Sequence, residues 1–283
     1  MMSELSTLIP PTSTLPNLTE LSASRLKKVR FILTDVDDTL TWHSELPTGT
    51  YKALSDLLTA GYVVIPVTGG CAGWSDLMAR LWPVSGVITE GGACFFSKQA
   101  DGKLAYKYWT SAEEMKIQKE ELLAKVMPLL IDYPPLALAQ DQAYRLTDVA
   151  VDYAQDIVPS AIEAKAALLK KLSELGIQAK ASSIHINIWH GDYDKYAMAQ
   201  RVLKQEYGLS DQEIIEQTLY VGDAPNDESM FAKFPLSVGV ANILQHLDEM
   251  TYQPCCVTHK SGGYGFIEVA ERLLQVGEIN PPS

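Results

Sequence analysis

A chain of 283 residues with ordinary apolar content is long enough for one large domain, or for a core carrying a second one, and can bury a sizeable core. Its net charge of -12 argues against nucleic acid, whose binding draws on clustered Lys and Arg, and favours a small-molecule partner. No apolar run is long enough to span a membrane, and Cys71, Cys94, Cys255 and Cys256 form no C-x-x-C pair, which points to reduced thiols and away from zinc.

Met1 to Glu20 is rich in Ser, Thr and Pro and lacks both a basic start and an apolar centre. It reads as neither signal peptide nor anchor, and residues 1–24 are expected to form a flexible tail on a cytoplasmic protein. Val29 to Leu33 then reads as a buried strand that breaks abruptly into Asp35-Val36-Asp37-Asp38-Thr39-Leu40. In extended backbone residues two apart share a side, so Asp35 and Asp37 can face one crevice at the strand's carboxyl end. Two such carboxylates call for a cation between them, or for one of the pair to be held protonated. By itself the stretch could equally be a polar turn capping the next helix.

Thr50 to Thr59 has helical spacing ended by Gly61, Tyr62 to Val67 is a second buried strand ending at Thr68-Gly69-Gly70, and a helix from Trp74 to Leu81 stops at Pro83. Gly86 to Ile88 gives a third strand, ending at Glu90-Gly91-Gly92. Repeated βα units predict a Rossmann-like, doubly wound parallel sheet with its site at the carboxyl edge. From Ala93 the strands bunch: a hairpin (Cys94 to Ser97, Leu104 to Trp109), a helix from Ala112 to Leu129, a strand from Arg145 to Tyr153, a helix from Ser160 to Leu175, then strands Gln178 to Ala181 and Ile184 to His190. This predicts an α+β insert at 93–191 within a core of 25–92 and 192–283. The helix Asp194 to Tyr207, the strand Thr218 to Val221 ending at Gly222-Asp223, the helix Asn226 to Phe234, the strand Leu236 to Val240 and an amphipathic helix Phe266 to Leu274 restore the βα pattern.

Asp35, Asp37, Thr68, Lys195 and Gly222-Asp223-Ala224-Pro225-Asn226-Asp227, in this order and context, resemble the four motifs of the haloacid dehalogenase superfamily of phosphohydrolases. The position of the insert is similar to the type II cap of the IIB subfamily, which includes sucrose-, trehalose- and mannosyl-phosphoglycerate phosphatases and phosphomannomutase. The resemblance implies a phosphoric monoester hydrolase in which Asp35 attacks phosphorus to form an aspartyl phosphate and Asp37 moves protons. Thr68 would then donate to the phosphoryl group, and Lys195 would neutralise it. It further implies Mg2+ held by the Asp35 carboxylate, the Asp37 carbonyl and Asp223, supported by Asn226 and Asp227. A phosphomutase, or a non-catalytic sensor of a phosphorylated ligand, are the competing readings. Gly70 stands where many relatives carry Arg, and Gly91 where they carry Asn, so no relative's substrate transfers directly.

The insert should carry the substrate contacts. Along Ile184 to His190, the isoleucines should face the cap helices while His185, Asn187 and Trp189 share the opposite face, which suits a sugar or polyol phosphate. Gly69 and Arg145 are further candidates. If the strand runs from Arg145 to Tyr153, Arg145 has the parity of Val149 and Val151 and cannot converge with Asp148 and Asp152 without a bulge.

Overall fold

The computed structural model describes residues 15–182 and 184–277. Strands β1 (Phe31–Thr34), β2 (Val63–Pro66), β10 (Thr218–Gly222), β11 (Ser237–Gly239) and β12 (Cys256–Val257) form a parallel sheet in the order β12-β11-β10-β1-β2. Both faces are covered, which is why these strands are apolar without alternation. Ile32, Val64, Leu219 and Val221 pack against α2 (Thr48–Thr59) and α9 (Gly262–Val276), whereas Phe31, Leu33, Ile65 and Tyr220 pack against α6 (Lys195–Tyr207). Every strand of this sheet points its carboxyl end to the same edge.

β3 (Val87–Thr89) departs from the expected continuation. It touches the parallel sheet through a single bridge, Val67 to Ile88, and otherwise pairs antiparallel with β4 (Cys94–Lys98), which pairs in turn with β5 (Leu104–Tyr108). Cys94 and Phe96 belong to the same apolar cluster as the parallel sheet, beside Met78 and Ala79 of α3 (Ala72–Leu81). Because this hairpin packs with the core, we place the division between core and cap near residue 110 rather than at 92/93. The expected tail also differs. Residues 1–14 lie outside the described residues, but Asn17 bridges to Val257, and Leu18 and Leu21 are buried in the core.

The cap is a four-stranded antiparallel sheet, in the order β6-β7-β9-β8, made of β6 (Ala137–Leu138), β7 (Val149–Asp152), β8 (Gln178–Ala181) and β9 (His185–Trp189). Val149, Val151, Ile186 and Ile188 pack against α4 (Ala112–Leu130) and α5 (Ile162–Glu174), and the other face turns toward the core. β7 begins only at Val149, so strand parity never governs Arg145. That residue follows a 3-10 turn, Gln140–Tyr144, and meets Asp148 at 3.0 Å without any bulge.

Core and cap are joined by buried polar contacts. Glu90, 1 % exposed and left-handed at φ 48°, accepts from the amides of Ala72 (2.9 Å), Leu146 (2.8 Å) and Thr147 (2.7 Å) and from the Thr147 hydroxyl. Arg145 donates to Gly69 O at 3.1 Å and is otherwise enclosed by Asp141 and Asp148. Glu90→Ala would strand several buried donors at once, so it is expected to cost about 2–4 kcal/mol of stability. Urea unfolding measures this, Glu90→Gln should recover part of the loss, and an unchanged midpoint would mean that water replaces the contacts.

Candidate active site

The carboxyl edge of the parallel sheet gathers the motif residues. Asp35 follows β1 and its amide donates to Val221 O of β10 at 2.9 Å, Thr68 follows β2, and Asp223 follows β10. Lys195 opens α6, whose N-cap Asp194 accepts from Ala197 N at 2.7 Å. Gly92 allows this helix end to approach: it has φ +112°, and a Cβ there would lie 2.2 Å from Asp194 O. Only glycine tolerates both conditions.

Lys195 lies buried between two carboxylates, 2.8 Å from Asp35 Oδ1 and 2.7 Å from Asp227 Oδ1. Burial alone would lower its pKa, but Asp227 and Asp35 outweigh burial and hold it above the ordinary lysine value, so the ammonium persists. Asp35 is pushed up to about 7, chiefly by burial and then by Asp227, against the opposing pull of Lys195. Half-buried Asp37 is also raised, by burial and by Asp38. Asp223 is raised well above its ordinary value by burial, Asp35 and Asp227.

Carboxylate oxygens of Asp35, Asp223 and Asp227 lie within 4.8 Å of one another, a crowding of buried anions that a hard cation would relieve. This donor set fits Mg2+. Within it Asp227 is already engaged by Lys195, by the Tyr220 hydroxyl (2.6 Å) and by Asp223 N (3.0 Å), which suits a supporting residue better than a free ligand. Two residues that sequence reasoning missed fix Asp223: Thr39 donates to Oδ1 at 3.0 Å and Asn242 to Oδ2 at 2.9 Å. Thr39 was visible as the last residue of the first motif, whereas Asn242 carried no local signal.

A cavity of about 310 Å³ opens between this edge and the cap, lined by Asp35, Asp37, Thr68, Gly69, Asp223 and Asn226 from the core and by His185 and Asn187 from the cap. Asn187 donates to Gly69 O at 3.0 Å. Lys195, Trp189 and Lys180 line a smaller adjoining cavity of about 60 Å³. Arg145 lines neither; its side chain is 0 % exposed and its donors are spent on Asp141, Asp148 and Gly69, so it positions the loop after β2 and is not placed to touch a ligand.

A family model described as haloacid dehalogenase-like hydrolase matches residues 137–262, which include Lys195 and the turn from Gly222 to Asp227. No curated protein matches the chain. Among solved structures, a Thermoplasma acidophilum protein is 21% identical with a TM-score of 0.65, covering 87% of this chain and 98% of its own. A HAD/COF-like hydrolase from Plasmodium vivax is 16% identical with a TM-score of 0.63, covering 90% and 100%. The sucrose-phosphatase from Synechocystis sp., solved in complex with sucrose and phosphate, is 16% identical with a TM-score of 0.59, covering 87% and 98%. At these identities the structures speak to the fold, and that fold is the one the four motifs imply. Motif order, the family model matched over residues 137–262 and a parallel core bearing an inserted α+β cap together make the chain similar to the haloacid dehalogenase-like hydrolases.

Proposed function

We propose that the protein is a Mg2+-dependent phosphatase acting on a small phosphorylated metabolite, a sugar or polyol phosphate, through an aspartyl phosphate on Asp35. The observation that carries this reading is Lys195 fixed between Asp35 and Asp227, with Asp35 lining a cavity shared with Asp37, Thr68 and Asp223. Lys195 holds Oδ1 of Asp35 and leaves Oδ2 to attack phosphorus. As the bond from phosphorus to the leaving oxygen breaks, Asp37 gives that oxygen its proton, a role its raised pKa supports. Asp37 then takes a proton from the water that attacks the phosphoryl group, which frees phosphate and restores the Asp35 carboxylate. Thr68 donates to a phosphoryl oxygen, and Lys195 offsets the charge as two anions approach. Mg2+, held by the carboxylates of Asp35 and Asp223 and the main chain of Asp37, would supply further neutralisation of the phosphoryl oxygens.

A cytoplasmic setting belongs to the same proposal, supported by four free cysteines. No helix among the described residues is long and apolar enough to cross a membrane. The direct test is phosphate release from a panel of sugar, polyol, nucleotide and aryl phosphates with Mg2+ or with chelator. Release that needs Mg2+ and favours sugar or polyol phosphates is expected, and a preference for nucleotides would overturn the substrate class.

Metal binding should also depend on pH. In the metal-free protein Asp35 keeps its proton up to about pH 7, so Mg2+ must displace it below that pH. The rise in Tm on adding Mg2+ is therefore expected to be larger at pH 8 than at pH 6. Equal shifts at the two pH values would mean that Asp35 is ionised throughout.

A further inference from the structure

Under the phosphatase reading, on which this inference rests, the larger cavity is divided chemically in a way that bears on the leaving group. Its reacting part is lined by Asp35, Asp37, Thr68 and Asp223. Beyond it, one wall comes from α3 and the residue that ends it. Trp74, Met78 and Trp82 recur every four residues and so fall along one helix face. Leu46 and the cap residue Ile184 add further apolar lining. The cap adds polar side chains to the same lining: Gln155, Ser182, His185 and Asn187.

His185 is the most telling of these. It is 5 % exposed, and its Nε2 is buried without a hydrogen-bond partner. Burial, helped by Arg145, lowers its pKa, which keeps the ring neutral at neutral pH, and Asp141, Asp152 and Asp156 offset this only in part. A buried ring nitrogen left unpartnered beside a cavity is costly unless a ligand hydroxyl completes it.

Cations are missing from this part of the cavity. Among the described residues that line it there is no Lys or Arg, while Asp37 and Asp141 both do. The Arg145 guanidinium behind Asp141 is sealed by its own carboxylate partners. Lys180 lines only the smaller adjoining cavity, with Lys195, and its Nζ donates to Asn226 O at 2.9 Å.

We infer that the leaving group is uncharged, polyhydroxylated and apolar on one face, a neutral glycosyl or polyol group. Its flat face rests on Trp74, Met78 and Trp82, and its hydroxyls meet His185 and Asn187. Monophosphates whose leaving group carries a second anion, a carboxylate or another phosphate, are rejected, because that anion would meet the Asp141 carboxylate in a lining that offers no cation to pair it.

Steady-state kinetics with Mg2+ on matched substrates tests this: a hexose monophosphate against the aldonic acid phosphate of the same carbon skeleton, and against the hexose bisphosphate, with an aryl phosphate as the generic substrate. The neutral member of each pair should have a kcat/KM about 10-fold or more above the anionic one. Trp74→Arg, at a position 58 % exposed and thus tolerant of change, should narrow that ratio about 10-fold by raising kcat/KM for the anionic substrates. If the aryl phosphate is hydrolysed but the anionic members are used as well as the neutral ones, the leaving-group inference is overturned and the phosphatase reading stands. Absence of phosphate release from every substrate, the aryl phosphate included, would overturn both.

Discussion

Asp35→Asn is expected to lower turnover on an aryl phosphate by about ten-thousandfold or more while leaving the fold intact, because an amide cannot accept the phosphoryl group and return it to water. The fold should survive because the carboxylate is a source of tension as much as of support. Burial and Asp227 both disfavour its charge, and Lys195 retains Asp227 as its partner when Asp35 is neutral. Circular dichroism should therefore match the wild type, and Tm in the absence of Mg2+ should fall by no more than a few degrees. Near wild-type turnover of the variant would remove Asp35 from the chemistry, whatever the metal dependence.

Lys195→Met is expected to damage both activity and stability. Without the ammonium, Asp35 and Asp227 are left as buried like charges in a space from which water is excluded. Breaking a buried ion pair by removing one partner costs about 3–5 kcal/mol, and phosphate release should fall at least about a thousandfold. The stability loss should depend on pH in a definite sense. Asp35 already titrates near 7 with Lys195 present, and removing that stabilising charge raises its folded pKa further above the unfolded value of 3.8. Between those two pKa values the folded variant holds a proton that the unfolded chain has released, so its stability falls as pH rises. Urea unfolding should thus show a larger deficit at pH 8 than at pH 5. A deficit that is flat or reversed would mean that Asp35 and Asp227 are not the groups Lys195 neutralises.

Much of this site could be anticipated because its parts are local. Asp35 and Asp37 sit where an apolar strand ends, Thr68 and Asp223 do the same for two further strands, and strand ends in a parallel sheet share one edge by topology. The alternation along β9 likewise assigned Ile186 and Ile188 to the cap interior and turned His185 and Asn187 to the cavity, but it failed for Ile184, which precedes the strand and lines the cavity instead. The elements that were missed are short or depend on distant partners. β12 is two residues long, and its pairing with β11 and its bridge to Asn17 come from opposite ends of the chain. Arg145 was misjudged because an expected strand was extended four residues too far. A 3-10 turn precedes β7 instead, and it brings Arg145 onto Asp148.

The sequence by itself determined the order of elements, the type of sheet and the strand-end carboxylates, because hydrophobic period and abrupt polar breaks are written residue by residue. Tertiary structure alone decided which charges meet. Lys195 lies 160 residues from Asp35 in the chain and Asn242 lies 19 from Asp223, and no local pattern encodes either contact. It also decided that the hairpin after β3 joins the core, that Glu90 clasps the cap, and that α3 and the cap line one cavity whose lining holds no Lys or Arg. These are properties of surfaces brought together by burial, and burial is settled only when the whole chain has packed.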